Sequence, residues 1–444
     1  MLFPIRAIAL VLVAFLPAAV GTPTPLPQHV VFPTFPPTYN LSRSTAIQTC
    51  AATEADSLDY IRDWGIVSYD WSNLYRKWHV DHPMDSDQKL VDSAARAQRV
   101  APETKIWIYR NLVIAYAEFD MVRRKLEDPS YARWFLPFGK TNNESLTPRC
   151  DSLGHCSDLF HTSSQRPGGD CGAVIPCGWY VFDHRNASLR EWLFTEYILG
   201  EKGLGNEAVS GFYFDDWWTL DGPTEVPHFF EGTGLPHRGT EIAEIYSSWS
   251  TTVWAVQAAV AAHGGFMWNN FNCRLDKKVG YGGAPEDRPP CPLTKTEGYP
   301  HADASDVAPV KATTISDFKA QCADWLRVAC SGDSVLNRLP LLLSFTRNDN
   351  GSQFPLPAPS QDVATFLLVR GAYAWMGYGW LGCTDKYERP PQLQVDVGEP
   401  LDKSCQEVHP GIFTRRWTKV DVSMDCNKFE GSITARDAVD GLIV

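Results

Sequence analysis

Two adjacent carboxylates, Asp215 and Asp216, end the aromatic run "VSGFYFDDWW". Two carboxylates held close cannot both ionise freely, so one pKa rises. One group can then donate a proton while the other stays charged, which is the division of labour that acid–base catalysis needs. Cleavage of a glycosidic bond is one reaction that uses it. There the two carboxyl groups stand ~5–5.5 Å apart for retention and ~6.5–9.5 Å apart for inversion. A third carboxylate, Asp183, ends "WYVFDHRN". If its strand lies beside that of Asp215, the ~4.8 Å strand spacing suits the shorter separation. Asp216, Asp70 and Glu297 are the other candidates for the second role.

These residues need elements to position them, and the chain supplies a repeating series. "WGIVSYDWSN", "TKIWIYRN", "WYVFDHRN", "SGFYFDD", "GGFMWNN", "LPLLLSFTRND" and "AYAWMGYGW" are short, nearly continuous apolar runs. Such runs read as parallel strands covered on both faces. Segments with helical period alternate with them. "SLREWLFTEYILGEKG" opens with a Ser188-x-x-Glu191 capping box. "TEIAEIYSSWSTTVWAVQAAVAAHGG" carries Ile242, Ile245, Tyr246, Trp249, Val253, Val256 and Val260 at helical spacing. "SDFKAQCADWLRVAC" and "SQDVATFLLVRGAY" read as two more helices. Strand–helix alternation means βαβ units. Seven strands are visible, and an eighth is expected near "LTKTEGYPH". The fold class is therefore α/β, a (β/α)8 TIM-type barrel with a small C-terminal β unit. The rival, an open doubly wound sheet, lacks its usual sign, since no G-x-G-x-x-G or P-loop follows a strand.

The first segment, "MLFPIRAIALVLVAFLPAAVGTPTP", has the form of a secretory signal peptide over 1–21. Its apolar stretch is shorter than the ~20 residues that span a bilayer. A Pro/Thr-rich arm follows over 22–50, then the barrel over 51–385 with a Cys-rich insertion at 139–179, then the β unit over 386–444. Twelve cysteines and the sequons at Asn40, Asn143, Asn186 and Asn350 fit an oxidising, extracellular location, with cell wall and vacuole as destinations. Cys150, Cys156, Cys171 and Cys177 should staple the insertion, and Cys405 with Cys426 is a plausible pair. Cys322 and Cys330 lie too far apart along a helix to bond to each other. A net charge of −12 without a basic run argues against nucleic acid. A monomer is expected, without a membrane span, cofactor or metal.

At the C-terminal rim of a barrel, strand-end residues converge. The candidates here are Asp70, Arg110, Asn111, Asp183, His184, Asp215, Asp216, Asn269 and Arg347. Side chains alternate along a strand, so Tyr213 and Asp215 share one face and Phe214 and Asp216 the other. Asp215 is read as the lumen residue. Trp71, Trp217, Trp218 and Tyr378 are candidate platforms for a sugar ring, because sugar C–H faces stack on rigid aromatic rings. Sixteen tryptophans in the chain fit that use.

"GFYFDDWW", with "WIYRN" and "YVFDHRN" before it, resembles secreted TIM-barrel glycoside hydrolases in which an aspartate closes the fourth strand. "VDVGEPL", "GIFTRRW" and "VDVSMDCN" are similar to the small β segment that often ends such chains. The likeness spans roughly residues 60–435 in order of elements. It implies hydrolysis of O-glycosidic bonds in a poly- or oligosaccharide, with Asp215 as the strand-end catalytic aspartate. No Glu clearly ends a later strand, where many barrel glycosidases place one. Two alternatives therefore stand: a non-catalytic carbohydrate-binding barrel, and a metal-dependent hydrolase with Asp215, Asp216, Asp183 and His184 as ligands. A serine nucleophile is unsupported, since G-x-S-x-G is absent.

Overall fold

Runs rich in β-branched and aromatic residues become strands, because such side chains pack well on a pleated surface. The computed structural model describes residues 39–41, 45–49, 61–62, 64–69, 82–138, 150–163, 170–219, 222–223, 240–269, 293–297, 322–327, 329–331, 341–344, 359–372, 374–378 and 391–436. The expected signal peptide lies outside them, as does most of the expected arm. In chain order the elements begin with β1 (Thr45–Thr49), β2 (Ile66–Tyr69), α1 (Ser86–Val100), β3 (Lys105–Asn111), β4 (Ile114–Tyr116) and α2 (Asp120–Glu127). Then come β5 (His161–Ser163), β6 (Gly178–Val181), α3 (Ala187–Trp192), β7 (Gly211–Asp215), β8 (Trp218–Thr219), β9 (Gly222–Pro223) and α4 (Thr240–Ala262). The remainder is β10 (Phe266–Asn269), β11 (Leu293–Glu297), β12 (Leu341–Ser344), α5 (Pro359–Val369), β13 (Ala374–Tyr378), β14 (Gln406–His409), β15 (Ile412–Arg416), β16 (Val420–Asp425) and β17 (Glu430–Ala435).

Strands β1, β2, β3, β7, β10, β11, β12 and β13 pair in parallel, each with the next in chain order. The far edge of β1 pairs with β13, so the ring of pairings closes. The expected strand near "LTKTEGYPH" is β11. Two expectations are corrected. "WYVFDHRN" supplies β6, which belongs to a separate antiparallel sheet of order β4-β6-β5. The eighth position in the ring falls instead to β1, "TAIQT", inside the expected arm. Three polar residues in five hide β1 from an apolar-run criterion, and pairing on both edges overrides its composition.

Strand β3 shows how the layers are built. Its residues alternate between faces, with Trp107, Tyr109 and Asn111 on the inside. At the start of β7 the register sets Gly211 opposite both Trp107 and Phe266. The rings of Trp107 and Phe266 stack with centroids 6.4 Å apart. A Cβ at Gly211 would stand 2.4 Å from the Phe266 carbonyl oxygen, so the contact requires glycine there.

Arg110 faces outward, fully buried. It donates to the carbonyl oxygens of Tyr109 (2.9 Å), Tyr197 (3.3 Å) and Lys202. Its guanidinium lies 5.0 Å from the Tyr197 ring centroid and 5.6 Å from that of Phe119. Lys202 Nζ in turn bonds Asp87 at 2.9 Å. The Asp87 carboxylate accepts the first backbone N–H groups of α2 from Asp120 and Met121, where the helix dipole favours negative charge. The expected rim role of Arg110 is thus replaced by a structural one that ties β3 to the helices outside it.

His184 is likewise fully buried. Nδ1 lies 3.1 Å from Thr252 Oγ1 on α4, and Nε2 meets the Leu112 carbonyl. Desolvation lowers its pKa to about 4. It is a neutral staple between α4 and the turn after β3, not a rim ligand. Helix α3 is capped by Asn186, whose Oδ1 accepts from the backbone N–H groups of Ser188 and Leu189. The cap is therefore two residues before the expected Ser188.

The C-terminal β unit is a four-stranded antiparallel sheet, β14-β15-β16-β17, packed against α5. Arg415 of β15, 3% exposed, donates to the carbonyls of Leu367, Leu368 and Arg370 at 3.2, 3.1 and 2.8 Å. These are the orphan acceptors that end α5. Two disulfides, Cys322–Cys426 and Cys330–Cys405, join the sheet to the segment around 322–330. They replace the expected Cys405–Cys426 pair. Cys150–Cys156 and Cys171–Cys177 each close a short loop of the insertion.

Two outcomes follow. Gly211→Ala forces a methyl against β10 and should lower stability by about 1–3 kcal/mol in denaturant titration; an unchanged midpoint would contradict the close approach. The His184 pKa is depressed on folding, so the stability it contributes is complete above its unfolded value of ~6.5 and is lost as pH falls towards about 4. The thermal midpoint of His184→Gln should therefore fall less steeply across that window than that of the parent, and equal slopes would refute the linkage.

Candidate active site

The inner face at the C-terminal end of β3 and β7 gathers the polar groups. In-register pairing sets Tyr109 beside Tyr213 and Asn111 beside Asp215. The Tyr109 and Tyr213 rings stack at 6.1 Å, 25° between planes, which places both on one face. Asp215, two residues beyond Tyr213, continues that face, as the sequence reading expects. Tyr109 Oη donates to Asp215 Oδ2 at 3.3 Å. The backbone N–H of Asp216 donates to Asp215 Oδ1 at 3.0 Å.

Asp216 departs from strand alternation. Its φ is +55°, a left-handed conformation that Asp tolerates better than most residues. The turn brings its carboxylate back to β3, where Asn111 Nδ2 donates to Oδ2 at 2.6 Å. The same Nδ2 lies 3.0 Å from Tyr109 Oη. Asn111 Oδ1 accepts from the backbone N–H groups of Val113 and Ile114, both at 2.7 Å. Tyr116 of β4 adds its hydroxyl 2.9 Å from that of Tyr109. One connected network thus runs Tyr116–Tyr109–Asp215 and Tyr109–Asn111–Asp216. Asp215 is the half-buried member, while Asp216 is 6% exposed.

Burial pushes the Tyr109 phenol well above its ordinary pKa, with Tyr116, Asp215 and Asp216 adding to the shift. It therefore stays protonated at neutral pH and serves as a donor. A hydrogen bond given to a carboxylate stabilises the charged form. From the described residues Asp215 receives two, one on each oxygen.

The other sequence candidates separate into three groups. Asp183 lies beyond β6, outside the ring, and its carboxylate is held at 2.8 Å by Arg185. The expected Asp183–Asp215 adjacency on neighbouring strands is overturned, because β7 is flanked by β3 and β10. Trp218 is 1% exposed within β8 and offers no platform, whereas Trp217 is half-buried against the core. Asn269 and Tyr378 end β10 and β13 at the expected strand termini, and Glu297 ends β11. The side chains of these three lie outside the described residues, as do Asp70, Trp71 and Arg347 altogether. Among the described residues, no group of three or more His, Cys, Asp and Glu side chains could hold a metal. Asp215, Asp216, Asp183 and His184 are thus not gathered as ligands. No described helix is long and apolar enough to cross a membrane.

Tyr109 and Tyr116 were not among the sequence candidates. Alternation in "WIYRN" carries the signal for Tyr109: if Asn111 faces inward, so does Tyr109, and Arg110 cannot. Nothing local marks Tyr116, which arrives through a tight turn into a different sheet.

No protein-family model matches the chain, and no curated protein matches it. Among solved structures, it aligns with a trehalose-6-phosphate hydrolase of Bacillus licheniformis at 10% identity and a TM-score of 0.40. That alignment covers 76% of this chain and 65% of the other, so the chain spans just under two thirds of that enzyme. A sucrose 6F-phosphate phosphorylase from Thermoanaerobacter thermosaccharolyticum aligns at 10% identity and 0.44, over 91% of this chain and 97% of that one. A GH31 dextranase from Flavobacterium johnsoniae aligns at 10% identity and 0.43, over 81% and 39%. All three scores are below 0.5, too slight a likeness to carry fold or function.

Proposed function

We propose that the chain is a secreted, monomeric (β/α)8 TIM-type glycoside hydrolase that cleaves O-glycosidic bonds of an oligo- or polysaccharide. The observation that supports this reading best is the carboxylate pair at the C-terminal end of β7, held on the inner face by Tyr109 and Asn111. Barrel enzymes do their chemistry at that end. The two hydrogen bonds accepted by Asp215 favour its charged form. Asp215 is accordingly the nucleophile or the base, attacking the anomeric carbon or activating water against an oxocarbenium-like transition state. The proton for the leaving oxygen comes from a second carboxyl group, with Asp216, Asp70 and Glu297 as candidates. Trp217, Asn269, Arg347 and Tyr378 are proposed to line the sugar subsites, with Trp71 and Asp70.

Screening the purified protein against aryl glycosides and a polysaccharide panel supplies the substrate. Asp215→Asn should then lower kcat by about 10³-fold while calorimetry still detects sugar binding. Turnover near the parental value would remove Asp215 from the chemistry, and binding without turnover in the parent would favour the sugar-binding barrel. Asp183→Asn should change kcat by no more than about twofold, as expected for a carboxylate held in a solvent-side ion pair.

A further inference from the structure

We infer that Tyr109 is a positioning residue that holds Asp215 as a carboxylate, and that Asn111 sets the direction of the bond between them. The inference rests on Asp215 being the reacting carboxylate. Proton counting carries it. Asn111 Oδ1 accepts two backbone N–H groups at 2.7 Å. An amide nitrogen could not sit there, since it would face two donors. The orientation of the amide is therefore decided by the backbone. Its Nδ2 must then point to Tyr109 Oη and Asp216 Oδ2, giving one proton to each.

Tyr109 Oη is thus an acceptor towards Asn111, and among the described residues its single proton has two destinations, Asp215 Oδ2 and Tyr116 Oη. With Asp215 charged, the proton goes to the carboxylate and Tyr116 donates to Tyr109. With Asp215 protonated, the chain runs the other way, from Asp215 through Tyr109 to Tyr116. The charged state has the stronger bonds, because charge-assisted hydrogen bonds exceed neutral ones. Among the described residues, the titratable groups that face Asp215 are Tyr109 on β3, Tyr116 behind it on β4, and Asp216 beside it. Asp216 opposes the charge on Asp215, and its own backbone N–H with the Tyr109 hydroxyl offsets that repulsion. Strand register makes Tyr109 a stacking neighbour of Tyr213; the hydroxyl network makes it the control on the charge of Asp215.

Tyr109→Phe tests this with little disturbance, since it keeps the ring contacts to Tyr213 and Tyr116 at 6.1 and 5.9 Å and removes one oxygen. The Asp215 carboxyl carbon is followed by NMR in protein labelled at aspartate, assigned by its loss in Asp215→Asn. Its titration midpoint should rise by about one pH unit in Tyr109→Phe, and the acidic limb of kcat/KM should move by the same amount. A midpoint that stays in place overturns the inference, whatever happens to activity. A midpoint that rises without moving the kinetic limb sustains the positioning role and shows instead that Asp215 is not the reacting group. Should Tyr109→Phe fail to fold, Tyr116→Phe decides: losing the donor behind Tyr109 should raise the midpoint by a smaller step, and no rise refutes the directed chain.

Discussion

The in-register pairing of β3 with β7 is the constraint on which the candidate site depends. Parallel strands in register set equivalent residues side by side, so one pairing places Tyr109 by Tyr213 and Asn111 by Asp215 together. A slip of one residue would carry Arg110 to the inside and Asn111 to the helices, because strand side chains have period two. Two features resist such a slip. Inside, Gly211 leaves room for Trp107 to stack on Phe266. Outside, Arg110 can satisfy its donors only where the Tyr197 and Lys202 carbonyls await them.

The two faces of β3 therefore do different work with the same kind of chemistry. On the outer face a buried cation is spent on backbone carbonyls and aromatic rings, and its pKa is lowered by desolvation. On the inner face the described partners of the two carboxylates are neutral donors. Tyrosine and asparagine orient the carboxylates without neutralising them. The left-handed backbone at Asp216 completes the arrangement, since an extended residue there would send its carboxylate to the opposite face.

Much of the scaffold was legible in sequence. Six of the seven apolar runs are ring strands, and β11 lies where the gap in the series required a strand. All seven residues at helical spacing on α4 are buried, and Ser250, Thr252, Trp254 and Gln257 are buried beside them. The misreadings share a cause. Composition marks "WYVFDHRN" as a ring strand and residues 22–50 as a Pro/Thr-rich arm, yet ring membership is decided by which edges remain to be paired. "WYVF" is apolar because its rings pack against Tyr116, His161, Phe135 and Tyr197, not because it lines the ring. Cys405 and Cys426 looked like partners because they are near in sequence. In the fold each faces a cysteine of the 322–330 segment, in bridges spanning 75 and 104 residues.

The candidate site divides in the same way. The sequence by itself determined that Asp215 and Asp216 end a buried strand, and that Asp215 shares a face with Tyr213, because alternation is a local property of extended chain. Only the tertiary structure decided what those carboxylates meet. Asp183, Arg110 and His184 carry polarity at the ends of apolar runs just as Asp215 does, but an ion pair, a set of carbonyls and a threonine hydroxyl claim them elsewhere. Tyr109 and Tyr116 entered through strand register and a turn between sheets. Hydrogen-bond partners are chosen by position in space, and no spacing along the chain encodes that choice.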